Sequence, residues 1–267
     1  MLTDEECRRC AEGLLDAART GTPMAALGGT FPGLTVADAY RIQRRWLEAR
    51  CSAGARAVGY KVGLTSAATQ ALFGAAEPMY GRILAQGVLA NGSRIRAAAF
   101  LRPRLEVELA FILGTDLAGA DVTSAQALEA TARIVPAFEI VAQRTEASRA
   151  LADAIADNGA HGAIVLGNEG ISPAETDIAA IGATLFRGRV QIASGLASSV
   201  MGHPAAAVAW LARVLDAAGE RLERGQIILT GTLTGAVEVV PGDVFRAEYV
   251  ASAREPAALG ALEVSFG

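Results

Sequence analysis

The chain is poor in cysteine and in aromatic residues, and no block of like charge runs through it. Three cysteines in 267 residues supply no disulfide framework and fit a reducing cytoplasm. Cys7 and Cys10 stand in a C-R-R-C pair, but no second pair completes a zinc site, and the spacing reads as coincidence on a surface helix. Aromatics make up 5% of the residues and the net charge is −4. With no basic block to meet phosphates and few rings to stack on bases, nucleic acid is excluded as a partner. The longest uncharged run, residues 190–212, holds Gln191, His203, Pro204 and three serines, which makes a poor membrane span. The start, M-L-T-D-E-E, has neither the basic nor the apolar region of a signal peptide. A soluble, cytoplasmic protein is expected.

What is present is core material: 52% of the residues are hydrophobic, ample for one large domain or two small ones. Thr3 with Glu6 makes a capping box for a helix that fades near Gly21, and Thr35 with Asp38 a second for a helix to about residue 53. Residues 57–62 read as a strand. A short helix follows over 66–73, then a turn at E-P-M-Y-G and an extended stretch over 93–113. A helix over 123–132, a strand over 134–142, a helix over 145–155 and a short strand over 163–166 come next. Residues 181–192 read as a hairpin around R-G-R, and Pro204 opens a helix to residue 215, with His203 as its starting residue. Strands close the chain at 227–230, 244–250 and 262–266. No repeat or clean linker interrupts it. The expected organisation is a helical region, 1–55, packed on a β-rich catalytic region, 56–267, as one structural unit. Clustered strands without strict alternation of helices predict α+β.

The chemistry concentrates in R-P-R-L-E-V-E-L-A-F, residues 102–111. Leu105, Val107, Leu109 and Phe111 share one face of a strand, and Glu106 and Glu108 the other. Two carboxylates two residues apart stand roughly 6–7 Å apart at Cβ. Bare, they repel; a hard divalent cation between them would take both as oxygen ligands, and a solvated strand face predicts the same letters. Glu139 is a lone carboxylate in the apolar run I-V-P-A-F-E-I-V, where burial is costly unless it is paired or metal-bound. Lys61, inside V-G-Y-K-V-G, is either an edge-strand residue reaching solvent or a cation in a pocket.

Seven stretches taken together resemble the 2-keto-4-pentenoate hydratase and 4-oxalocrotonate decarboxylase group of the fumarylacetoacetate hydrolase superfamily. They are G-Y-K-V-G-L-T-S (59–66), E-P-M-Y-G (77–81), P-R-L-E-V-E-L-A-F (103–111), P-A-F-E-I-V (136–141), A-D-N-G-A-H-G (156–162), H-P-A-A-A-V-A-W-L-A (203–212) and G-Q-I-I-L-T-G-T-L-T-G (225–235). The resemblance implies a mixed β-sandwich or roll surrounded by helices, with a metal at the mouth of the sheet cavity. It implies Glu106, Glu108 and Glu139 as ligands of Mg²⁺ or Mn²⁺, and Lys61 as an acid/base or substrate-binding group. His161 falls near a position that is small or hydroxylic in relatives. It could titrate near neutral pH, or simply be hydrogen-bonded on a loop. Thr232 and Thr234 could meet a substrate carboxylate, or merely form a turn. One departure stands out: relatives carry an aspartate, expected to move a proton or activate water, where this chain has Met79.

The implied function is a metal-dependent hydratase that adds water to a 2-hydroxy-2,4-dienoate in aromatic catabolism. The alternatives are a 2-oxo-3-enedioate decarboxylase, a diverged carbon–carbon hydrolase, or a non-catalytic partner subunit that Met79 keeps in view. The implied partners are a small 2-keto or 2-enol acid, further copies of the chain in a homo-oligomer, and a pathway enzyme.

Overall fold

The computed structural model describes residues 1–146, 150–251 and 258–267. Three helices lead, α1 (Asp4–Thr20), α2 (Leu27–Thr30) and α3 (Val36–Ser52). The expected capping box opens α1: the Thr3 hydroxyl accepts from the Glu6 N–H, and Glu6 Oε2 accepts from the Thr3 N–H at 2.7 Å. Thr35 caps α3 through the Asp38 N–H. Cys7 and Cys10 do not lie on a surface. Both are buried among Leu14, Ile42 and Trp46, because α1 turns that stripe onto α3.

The strands are β1 (Ala57–Gly63), β2 (Met79–Leu84), β3 (Val88–Ala90), β4 (Arg94–Ile95), β5 (Arg104–Leu113), β6 (Thr131–Val141), β7 (His161–Leu166), β8 (Gly182–Arg187), β9 (Val190–Leu196), β10 (Ile227–Leu229), β11 (Val237–Glu238), β12 (Val244–Val250) and β13 (Ala258–Phe266). Four further helices, α4 (Ala67–Phe73), α5 (Ser124–Glu129), α6 (Leu151–Ala156) and α7 (Pro204–Ala217), lie between them. One sheet runs β2-β1-β10-β5-β6-β7-β3, with β11 also on β5; the other runs β4-β13-β12-β8-β9. The hairpin around R-G-R is β8–β9, and Pro204 opens α7 with His203 accepting from the Ala205 N–H.

The alternation on β5 decides which face meets which layer. Leu105, Val107, Leu109 and Phe111 are buried with Phe245, Tyr249, Leu262 and Val264 of the second sheet in the main core. The opposite face carries Glu106 and Glu108 beside a smaller apolar cluster that includes Ile83, Ala110, Ala137 and Leu229. Tyr249 reaches across the core to donate to the carbonyls of Glu108 and Ala137, at 3.1 and 3.0 Å. A buried hydroxyl satisfied by two strands pins β5 and β6 from behind. The result is the expected α+β sandwich with helices around it.

Three local expectations differ. E-P-M-Y-G is no turn: β2 begins at Met79, and Gly81 sits within the strand because a Cβ there would come 2.3 Å from the Asn158 carbonyl. The helix expected to residue 132 stops at Glu129, since β6 pairs with β5 as far as Thr131 opposite Leu113. The helix expected over 145–155 appears as α6, Leu151–Ala156; its residues 147–149 lie outside the described residues.

Candidate active site

The register of β5 on β6 sets Glu106 opposite Glu139, with Glu108 opposite Ala137. Each of the three glutamates offers a carboxylate oxygen, and these oxygens lie within 4.8 Å of one another. Glu108 and Glu139 are buried and Glu106 is half-buried. Lys61 does not line a sheet edge. Its strand β1 is flanked by β2 and β10, and its ammonium is buried 3.5 Å from Glu139 Oε2. It is the only lysine of the chain; every other member of the 24 basic residues is arginine. That count was available in the sequence and marks Lys61 more sharply than its local pattern does.

A buried cluster of like charges must bind protons, a cation or both. Burial and the charge of Glu139 push Glu106 up to about 7, with Lys61 pulling the other way. Burial, Glu139 and Glu106 raise Glu108 well above the usual carboxylate range. At Glu139 burial acts upward but is outweighed by Lys61 and by the His161 hydrogen bond, so it stays ionised below the usual range. At Lys61 burial acts downward and is outweighed by Glu139, Glu106 and Glu108, so the ammonium is held above its ordinary value.

The cluster opens into a cavity of about 340 Å³. Leu72, Phe73 and Met79 give it an apolar wall, and Arg104, Gln143 and Thr232 a polar one. Met79 and Lys61 share the space beside Gly63, where a Cβ would stand 3.2 Å from Met79 Cε and 3.3 Å from Lys61 Nζ. The group next to the ammonium, where relatives are expected to have an aspartate, is therefore a thioether. Arg104 shares the β5 face of Glu106, two residues before it, so the period-two alternation already carried its place in the wall.

Two candidates sit elsewhere than in contact with that cavity. His161 begins β7 and is not on a loop. It is buried behind Glu139, with Nδ1 2.8 Å from Glu139 Oε1. Because Glu139 is ionised, Nδ1–H is the donor, and Nε2 has no hydrogen-bond partner. Thr232 lines the cavity, and its hydroxyl accepts from the Gly235 N–H at 3.2 Å. Thr234 lies outside the lining and donates to the Gly235 carbonyl.

The donor set fits a hard divalent cation. All three ligand groups are carboxylates, Glu139 Oε2 has no hydrogen-bond donor, and Glu108 Oε2 is fixed by the Gly231 N–H at 2.8 Å. Mg²⁺ and Mn²⁺ take such oxygens; Mg²⁺ does so at about 2.0–2.1 Å. No helix among the described residues is long and apolar enough to cross a membrane.

Residues 65–266 match the family model described as fumarylacetoacetate (FAA) hydrolase C-terminal. The chain is 37% identical over 246 residues to the 2-oxo-hept-4-ene-1,7-dioate hydratase of Escherichia coli, covering 90% of this chain and 92% of that one. It is also 37% identical over 245 residues to a 2-keto-4-pentenoate hydratase of Paraburkholderia xenovorans, covering 91% of each. The 4-oxalocrotonate decarboxylase of Pseudomonas putida G7, solved with magnesium and adipate, superposes with a TM-score of 0.94 at 27% identity, over 100% of this chain and 99% of that one.

Proposed function

This chain belongs to the fumarylacetoacetate hydrolase C-terminal family, and we propose that it is a divalent-metal-dependent hydratase. It adds water to a 2-hydroxy-2,4-dienoate of the 2-keto-4-pentenoate type during the breakdown of aromatic compounds. The observation that carries the reading is the triad of Glu106, Glu108 and Glu139, two of them buried, with the sole lysine against it beside the cavity. The triad would hold Mg²⁺ or Mn²⁺, which supplies a template and a Lewis acid for the carboxylate and adjacent 2-oxo oxygen of the substrate.

The chain's own groups divide the remaining work. Lys61, protonated, donates to the oxygen on which enolate charge gathers and is the proton carrier of the site. Thr232 and the backbone beside it face the substrate carboxylate. His161 touches no substrate; its Nδ1–H fixes the orientation of Glu139, as a carboxylate ligand requires. Thr234 takes no part. The chain is further proposed to act as a homo-oligomer.

A second reading is decarboxylation of a 2-oxo-3-enedioate, favoured by the superposition over the whole chain on a 4-oxalocrotonate decarboxylase. Met79 bears on both readings, because the aspartate is expected in both groups and a thioether accepts no proton. Loss of carbon dioxide leaves an electron pair that the 2-oxo group takes up as an enolate, which Lys61 can protonate, and an apolar wall of Leu72, Phe73 and Met79 disfavours a departing group while it is still a carboxylate.

An NMR time course of the Mg²⁺-loaded protein separates the two. Conversion of 2-hydroxypenta-2,4-dienoate to 4-hydroxy-2-oxopentanoate supports hydration. No conversion of that substrate, with metal bound, sinks the hydratase reading. Release of carbon dioxide from 2-oxo-3-hexenedioate would then establish the second. Met79→Asp is expected to raise turnover of whichever substrate the parent converts.

A further inference from the structure

A second cavity, of about 500 Å³, lies behind the acidic one. The segment after β6 is the wall between them. Val141, Gln143 and Thr145 face the acidic cavity, whereas Ala142 and Arg144 face the other. The charge of its lining is opposite to that of the chain. Four arginines, Arg19, Arg50, Arg82 and Arg144, stand in it with no aspartate or glutamate, in a protein of net charge −4.

The arginines are not equally free. Arg82 is committed to Tyr60 and Glu220. Arg144 donates to Asp157 Oδ1 at 2.8 Å and to the His161 carbonyl at 2.6 Å. Arg19 meets only Asp16, and both side chains are mostly exposed, so that pair is weak and easily exchanged. Arg50 has no carboxylate partner among the described residues; its guanidinium stands 5.8 Å from the centroid of Trp46. Arg144 stands 5.6 Å from the same ring. Trp46, Leu84, Leu89 and Phe100 add apolar surface to the lining. A guanidinium held over an aromatic ring and lacking a counter-ion is prepared for a carboxylate or phosphate oxygen. The volume and the apolar lining ask for a ligand with an organic body rather than a bare oxyanion.

We propose that this cavity is a second binding site, selective for a small planar organic carboxylate, with Arg50 and Arg19 taking the carboxylate and Trp46 and Phe100 flanking the body. It is a separate site from the acidic cavity, which lies across the wall. Two contacts cross this wall: Arg144 to Asp157, which lines the acidic cavity, and His161 to Glu139 of the triad.

Trp46 is one of two tryptophans, and the other, Trp210, donates to Glu77 away from this cavity. Benzoate titrated into the Mg²⁺-loaded protein at constant ionic strength is expected to change tryptophan emission saturably. Arg50→Ala should weaken the midpoint by about tenfold or more, the loss of one charge-assisted bond. Arg50→Lys should fall between, because it keeps the charge without the fork. Arg19→Ala, at an exposed position, should weaken it without touching the fold, and inorganic phosphate should give no saturation in the same range. The proposal is overturned if no saturable change occurs by about 10 mM benzoate. It is equally overturned if the midpoint is the same in Arg50→Ala and Arg19→Ala as in the parent, or if phosphate matches benzoate.

Discussion

Glu106→Gln should make the metal-free protein more stable while weakening its hold on metal. In the folded chain the Glu106 carboxyl is pushed from its ordinary 4.5 up to about 7, first by burial and then by Glu139. Each tenfold change in proton affinity is worth about 1.4 kcal/mol, so keeping Glu106 ionised costs the fold about 3 kcal/mol, and solvent screening at a half-buried carboxylate reduces this to about 2. The stabilising effect of the bound proton is complete below the unfolded value and is lost as pH rises through about 7. Glutamine removes that loss. In EDTA at pH 8 the variant should therefore melt about 4–8 °C above the parent, given about 2–4 °C per kcal/mol for a chain of this size. At pH 5 the gain should shrink below about 1 kcal/mol, because the folded carboxyl then keeps its proton and the unfolded one is only partly ionised. Calorimetric titration with Mg²⁺ should show at least a tenfold loss of affinity, roughly the least a lost ligand group removes, and turnover should fall with it. If the metal-free variant melted at or below the parent at pH 8, with Mg²⁺ affinity unchanged, Glu106 would be a solvated strand residue and the site would be misassigned.

Three further perturbations test the frame around the triad. Because Lys61 is the only lysine, ¹⁵N-lysine labelling gives one side-chain resonance; in metal-free protein it should remain ammonium beyond the ordinary 10.5, and added Mg²⁺ should bring its titration down. Gly231→Ala would place a Cβ 2.1 Å from Thr65 Oγ1 at a φ of +117°. Thermal melting should show a loss of about 2–4 kcal/mol, combining overpacking with backbone strain. Tyr249→Phe removes the donor shared by the Glu108 and Ala137 carbonyls and should cost about 1–3 kcal/mol, read as a lower denaturation midpoint with an unchanged m-value.

Much of this site is legible in the sequence because its signals are local. Alternation puts Glu106 and Glu108 on the face away from Leu105 and Val107, and a carboxylate in an apolar strand marks Glu139. What joins them is not local: the register that faces Glu106 with Glu139 depends on where β6 starts, and the local pattern carries α5 past its true end at Glu129. E-P-M-Y-G reads as a turn because proline and glycine punctuate turns, whereas Gly81 is glycine to admit the Asn158 backbone. His161 is legible as a residue but not as a role. Its place behind Glu139 follows from the β6–β7 pairing, and the arginine-lined cavity follows from tertiary packing of α1, α3 and β7, which no window of sequence contains.

Charge balance links these residues to one last measurement. Three carboxylates and one ammonium leave the buried cluster at minus two when all are ionised, and a divalent cation would bring it to neutrality. Without one, the protein moves toward the same balance by keeping protons. That is the common cause of the upward shifts at Glu106 and Glu108 and of the ammonium held at Lys61. Glu139 escapes the upward shift because Lys61 and the His161 Nδ1–H both favour its ionised form. Loading with Mg²⁺ must therefore release protons, and the number is set by pH. Near pH 6 Glu106 still holds its proton, and Glu108 is pushed in the same direction, so release should be greatest on that side. As pH passes about 7, Glu106 loses its own, and release should fall by about one proton per site. Calorimetric titrations in buffers of different ionisation enthalpy measure this number directly. A release near zero across that range would mean that the glutamates are ordinary solvated carboxylates, and the argument from burial to metal would fail at its first step.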